Sequence, residues 1–172
     1  MEGHPDNVAP AVYGGLTASI VEDNVAYCVN YNISDIIKFC ALVPNFETST
    51  QEARKLLPSE VSFKDAVFNI SRTAVLLKAL EEGDFKVINV SLKDKMHQKY
   101  RKTLIHEYDE IKKICIDNGS AAFFISGSGP TLMNITDDFD FPNKIYKSIK
   151  NMKNKWDIKL LTADKLGVTI IK

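Results

Sequence analysis

Ala121-Ala-Phe-Phe-Ile125, Ser126-Gly-Ser-Gly-Pro130 and Thr131-Leu-Met-Asn-Ile-Thr136 form one continuous stretch, and its reading decides the fold. The flanking runs are short and rich in apolar, aromatic and β-branched residues, the pattern of buried strands. Ser, Gly and Pro between them form a tight loop, so the chain doubles back there. Two strands joined this closely run antiparallel, because a parallel pair needs a crossover of roughly a dozen residues or more.

Outward from this pair the elements follow from punctuation and period. A helix is expected from Tyr108 to Asn118, with Ile111, Ile114 and Cys115 inward and Asn118-Gly119 at its end. Downstream, Pro142 opens a helix with Ile145, Ile149 and Met152 inside, followed by strands at Asp157–Leu161 and Gly167–Ile171. Upstream, strands are expected at Leu16–Glu22, Val25–Asn30 and Ile36–Val43, the first two a hairpin turning at Asp23-Asn24. Ser49 and Glu52 stand at capping-box spacing before a helix over Thr50–Leu57, which Pro58 stops. Ser62 and Asp65 cap a longer helix whose apolar positions Phe63, Val67, Ile70, Ala74 and Leu77 follow a 3.6-residue period up to Gly83. Asp84 caps another, with Phe85, Ile88 and Leu92 on one face, and a polar segment from Lys93 to Arg101 follows. Strands, a block of helices, two strands, a helix and closing strands make an α+β fold, an antiparallel sheet covered by helices.

At 172 residues, 45% hydrophobic and 26% charged, the chain is a single ordered domain. Twenty-two basic residues balance twenty-two acidic ones, which disfavours nucleic acid and anionic membranes as partners. The lysines at 144, 147, 150, 153 and 155 read as a solvated helix face. Cys28, Cys40 and Cys115 are an odd, widely spaced set and are expected as buried thiols. With no signal-like start and no apolar run near ~20 residues, a cytoplasmic protein is expected.

Three segments could carry chemistry. Glu2-Gly-His4-Pro-Asp6-Asn7-Val-Ala-Pro10 gathers groups able to orient a small polar substrate, although a capped Pro-Asp-Asn turn explains the same residues. Metal ligation by Glu2, His4 and Asp6 is disfavoured, since ligands two apart in a turn rarely converge. Ser126, Gly127, Ser128, Gly129 and Thr131 could form an anion-binding nest or an unliganded hairpin, and match neither a P-loop nor a dinucleotide fingerprint. Arg54 and Arg101 each offer a fork suited to a carboxylate, while most arginines lie on surfaces without such a role.

Taken together, Glu2-Gly-His-Pro-Asp-Asn-Val-Ala-Pro10 with Gly14-Gly-Leu16, Ser49-Thr-Gln-Glu-Ala-Arg54 before Leu57-Pro58, His97-Gln-Lys-Tyr-Arg101, and Ile125-Ser-Gly-Ser-Gly-Pro-Thr131 resemble, in order, segments of the homoserine kinases. These belong to the GHMP small-molecule kinase family. The resemblance spans nearly the whole chain and implies the C-terminal domain of that family, with a ferredoxin-like core. Residues 1–35 or so would belong to the end of the family's N-terminal domain.

The resemblance implies transfer of the γ-phosphoryl group of ATP, with Mg²⁺, to the hydroxyl of L-homoserine in threonine biosynthesis. His4 and Asn7 would line the substrate pocket, with Asn7 and Thr50 near the reacting centre. Arg54 and Arg101 would hold the substrate carboxylate, and Ser126 to Gly129 with Thr131 would support the nucleotide's phosphate loop. No protein metal ligand and no dedicated general base is expected; positioning and charge stabilisation can carry phosphoryl transfer. A homodimer is implied on the same basis. The family's Pro-x-x-x-Gly-Leu-Gly-Ser-Ser loop has no counterpart in this sequence, so the chain alone is expected to be inactive or nearly so. A stand-alone amino-acid-sensing module with a ferredoxin-like core and another GHMP kinase are the competing readings.

Overall fold

The computed structural model describes residues 5–170. Helix α1 (Val8–Tyr13) leads into a hairpin of β1 (Leu16–Glu22) and β2 (Val25–Tyr31), followed by β3 (Lys38–Pro44). Four helices follow: α2 (Thr50–Lys55), α3 (Phe63–Glu82), α4 (Phe85–Ser91) and α5 (Gln98–Arg101), the last running into a 3-10 turn, Lys102–Leu104. Then come α6 (Tyr108–Asp117), β4 (Ala122–Ile125), β5 (Leu132–Thr136), α7 (Phe141–Ile149) and β6 (Trp156–Leu161).

Strands β4-β5-β3-β6 make one sheet with every neighbour antiparallel. Strand β3 returns through α6 to β4 with β5 between them, and β5 returns through α7 to β6 with β3 between them. This order is the ferredoxin-like arrangement expected from the sequence. The long helical block α2 to α5 is inserted after its first strand.

Because side chains alternate along a strand, each face buries its own core. Cys40, Leu42, Phe123, Ile125 and Leu132 pack under Ile111 and Cys115 of α6 and Phe141, Ile145 and Ile149 of α7. On the other face Ala122 and Ile135 meet Ala79 and Leu80 of α3 and Ile88 of α4, with Ile33 and Ile37 from the approach to β3. The register Cys40↔Asn134 and Phe39↔Ile135 fixes this division.

The expected punctuation is present. Ser62 Oγ accepts from Asp65 N at 3.1 Å, Asp84 Oδ1 from Val87 N at 3.0 Å, and Ser49 Oγ from Glu52 N at 3.4 Å. Gly83 ends α3 in the left-handed region at φ 73°. Asp23 and Asn24 take φ 49° and 60°, the mirror-image turn that suits a two-residue hairpin.

Two expectations fail, the closing strand and the burial of Cys28. The closing strand over Gly167–Ile171 does not form in its described part, residues 167–170. Gly14 and Gly167 pass with their backbones in contact, each at positive φ, and Val168 N donates to Val12 O at 3.1 Å. The segment is thereby tied to the end of α1 instead of lying along a strand. Cys28 is half-buried, because no residue of either hairpin strand is fully buried, whereas Cys40 and Cys115 are. Burial pushes both of these thiols up to about 12. The period of α3 left its direction open, and in the structure the first part of its apolar stripe faces outward, with Phe63 85% and Ile70 72% exposed, while Leu77 is half-buried. Contact with the sheet comes from the last turns of the helix, at Ala79 and Leu80, while Asn69 and Arg72 face the segment 93–101.

Candidate functional site

The glycine loop between β4 and β5 is where separate elements converge. Ser126 N donates to Thr131 O and Gly129 N to Ser126 O, both at 2.9 Å, closing the loop on itself. Gly127 and Gly129 hold φ of 56° and 87°, conformations open to glycine and costly for other residues. At its tip the Ser128 hydroxyl lies 3.4 Å from that of Thr50, the first residue of α2. From another side Arg101 donates Nη1–H to Gly127 O at 2.7 Å. Thus Thr50, Arg101 and the adjacent Gly127 and Ser128, from three segments far apart in sequence, form one cluster.

Arg101 is placed by a hydrogen-bonded chain that starts in α3. Asp94, with a side chain only 8% exposed, accepts from Asn69 Nδ2 at 2.8 Å and from the backbone N–H groups of Met96, His97 and Gln98 at 3.1, 2.8 and 2.6 Å. Asn69 Oδ1 in turn accepts from Lys95 N at 3.1 Å. Gln98 Oε1 then takes Ile125 N at 2.9 Å, at the last residue of β4 before the loop. A buried carboxylate therefore organises the turn that starts α5, and α5 braces the glycine loop through Gln98 and Arg101.

Burial alone would raise the Asp94 carboxyl, but its bonds to Gln98, Asn69, His97 and Met96 outweigh this and hold it below its ordinary value of 3.8. Burial lowers the His97 imidazole below 6.5, helped by Arg101 and opposed by Asp94, 3.6 Å away. His97 is therefore neutral near pH 7.

Between α3, the segment 91–101 and the end of β4 lies a cleft of about 450 Å³. Leu76, Leu77, Leu92, Phe124 and Ile125 form its apolar wall, and Arg72, Lys93 and Arg101 its basic side, with the neutral His97 beside them. Arg72 stacks on the Phe68 ring at 3.4 Å to the centroid and donates to Phe68 O at 3.0 Å.

Of the other residues expected in the site, Asn7 is the exposed N-cap residue of α1 and makes no side-chain capping bond, so capping does not account for it. Arg54 is exposed on α2, and neither it nor Asn7 lines the cleft. His4 lies outside the described residues. Gly129 and Thr131 complete the loop. Sequence reasoning passed over Asn69, Arg72 and Asp94, and met Gln98 within the His97–Arg101 segment without giving it a role. Asn69 and Arg72, three apart on the polar side of α3, were the available signal.

Residues 76–155, which contain this loop and α4 to α7, match the family model described as GHMP kinases C terminal. Over these residues the chain is similar to a GHMP kinase C-terminal domain. Around this domain the likeness extends further: a homoserine kinase from Clostridium botulinum is 45% identical over 99% of the chain, and one from Clostridium beijerinckii 40% over 100%. The chain spans 58% of the length of each of these relatives. A crystal structure of homoserine kinase from Cytophaga hutchinsonii superposes with a TM-score of 0.87 at 25% identity, covering 95% of this chain and 53% of that one. The L. major mevalonate kinase, at 16% identity and a TM-score of 0.66, shares the fold of this domain.

Proposed function

We propose that the chain is the C-terminal portion of a homoserine kinase, which moves the γ-phosphoryl group of ATP to the hydroxyl of L-homoserine to give O-phospho-L-homoserine. The observation that carries this reading is 45% identity to a homoserine kinase along 99% of the chain. The cytoplasm and threonine biosynthesis are its setting, and residues 1–35 or so belong to the end of the preceding domain.

On this reading Arg54 and Arg101 hold the substrate carboxylate, His4 and Asn7 line its pocket, and Asn7 and Thr50 stand near the reacting hydroxyl. The arrangement around Arg101 supports its part, because the Asp94 network and Gly127 O fix its direction before any ligand arrives. ATP and Mg²⁺ belong to the reaction. The paired hydroxyls of Thr50 and Ser128 and the loop from Ser126 to Thr131 suit phosphate oxygens. Among the described residues no group of three acidic, His or Cys side chains gathers for a metal ion, so no step is assigned to Mg²⁺ on this chain.

The test is a coupled ADP-release assay with ATP, Mg²⁺ and L-homoserine. It is run on the chain alone and on the chain supplemented with the segment of the Clostridium botulinum enzyme that it does not match. Homoserine-dependent ADP release in the supplemented sample is expected, with little or none from the chain alone. Silence in both, with folding verified by circular dichroism, removes the kinase reading.

A further inference from the structure

A second cleft, of about 400 Å³, opens where α5 and α6 meet Phe68 of α3, and it takes in neither Arg101 nor the glycine loop. Five lysines line it from three segments: Lys93 and Lys95 before α5, Lys99 and Lys102 on α5 and the turn after it, and Lys112 on α6. In a chain whose net charge is zero, this is a local excess that the nearby carboxylates do not cancel. Asp94 is engaged by Asn69 and three backbone N–H groups, and Asp109 holds Lys102 at 3.0 Å through both oxygens. Asp65, which does not line the cleft, is shared. Lys95 Nζ stands 3.8 Å from one of its oxygens and Lys99 Nζ 3.9 Å from the other, both beyond hydrogen-bond length. One carboxylate thus draws two ammonium groups together and bonds neither. Lys93 and Lys112 face no carboxylate within ion-pair distance among the described residues.

The floor of the cleft supplies an independent observation. Tyr108 lines it and is 7% exposed, yet its hydroxyl has no hydrogen-bond partner among the described residues. Burial first, then Asp109 and Asp94, push this phenol up to about 12, so it remains a donor at neutral pH. Both of those carboxylates line the same cleft. Beside it, Lys95 Nζ lies 4.3 Å from the centre of the Phe68 ring, which leaves its N–H groups free for an anion.

We propose that this cleft binds a short chain of linked phosphates, with Lys95, Lys99 and Lys112 on its oxygens and the Tyr108 hydroxyl donating from the floor. The site takes nothing from the kinase reading and shares none of its residues. No arginine lines the cleft, so the planar fork that selects a carboxylate is missing. Lysine ammonium groups are point charges with three donors each, which suit the many oxygens of a phosphate chain. Arriving from three segments, they are spread too widely for a single phosphate to meet.

The test is a titration of the ¹⁵N-labelled chain at fixed ionic strength, without Mg²⁺, followed through the backbone amides. Sodium tripolyphosphate is the probe, with orthophosphate and citrate as comparisons. Tripolyphosphate is expected to shift the amides of Lys95, Lys99, Tyr108 and Lys112, to saturate at one per chain, and to bind about ten-fold or more tightly than either comparison. Lys99→Gln combined with Lys112→Gln should weaken it about ten-fold, and Tyr108→Phe about three-fold. Lys147→Gln, on the lysine-rich face of α7, should change nothing. Citrate binding as tightly, shifts spread equally over α7, or a doubly substituted chain that binds as before would each overturn the proposal, and an unchanged Tyr108→Phe chain would overturn the part given to the hydroxyl. The wild-type comparisons with citrate and with α7 decide the matter even if a variant fails to fold. ATP in the same titration separates two sources of this chemistry: binding at these amides no tighter than tripolyphosphate assigns a free phosphate chain, and tighter binding a nucleotide's tail. Because the titration reads no phosphoryl transfer, its failure is distinguishable from failure of the kinase assay.

Discussion

Asp94 accepts one side-chain and three backbone hydrogen bonds from within a half-buried turn, and its charge makes each of them stronger than a neutral contact. Asp94→Asn keeps the shape but removes the charge and sets an NH₂ group against backbone donors. The expected loss is about 2–3 kcal/mol, since bonds to charged groups contribute roughly 1.5–3 kcal/mol and buried donors are left unpaired. Urea denaturation measures it, and a change under about 0.5 kcal/mol would show that the network does not hold the turn. His97 gives the pH dependence. Its folded pKa is lowered from 6.5, so its contribution to stability is complete above 6.5 and falls as pH drops through 6.5 toward the folded value, where the unfolded chain binds the proton more readily. Asp94 adds a second loss, below 3.8, as pH falls through its own lowered value. Thermal melts across this range should show His97→Gln flattening the slope just below pH 6.5 and leaving the acid limb in place. Little of this was legible in the sequence. Arg101 and Thr50 were visible within local motifs, but Asn69 and Asp94 meet across 25 residues through tertiary packing, which no local pattern encodes.

Helix α3 shows where periodicity stops being informative. Its caps and its end at Gly83 were legible because a cap is a contact within one turn. The direction of its apolar stripe was not, since a 3.6-residue period says that one face is apolar without saying what lies opposite it. In the structure the stripe at Phe63, Val67 and Ile70 faces outward, and the helix is anchored by Ala79 and Leu80. Two substitutions separate these roles. Leu80→Ala, at a residue 6% exposed, should cost about 2–4 kcal/mol through lost burial and the cavity left behind. Phe63→Ser, at a residue 85% exposed, should change stability by less than about 0.5 kcal/mol. Equal costs in chemical denaturation would mean that the stripe, not the end of the helix, is the anchor.

At the scale of the whole molecule two sheets of unequal support share one chain. The four-stranded sheet was legible because its strands alternate two apolar sets and the glycine loop forces an antiparallel pair, and both faces are filled by helices. The hairpin was legible too, from Asp23-Asn24 between β-branched runs, but nothing in its pattern showed that it would carry no buried residue on either strand. Ile20, Tyr27 and Val29 are each more than half exposed. A two-stranded ribbon without a packed face is marginal in water, whereas opening β3 or β5 uncovers core on both sides. Native-state hydrogen exchange should therefore divide the chain. Amides of β1 and β2 should exchange through local opening, with protection at least a hundred-fold below that of Cys40, Leu42 and Ile135 in the central strands. The central strands should show the full unfolding free energy and its denaturant dependence, while β1 and β2 should show almost none. Equal protection in both sheets would mean that the hairpin unfolds only with the core, and that its exposed face is covered in solution.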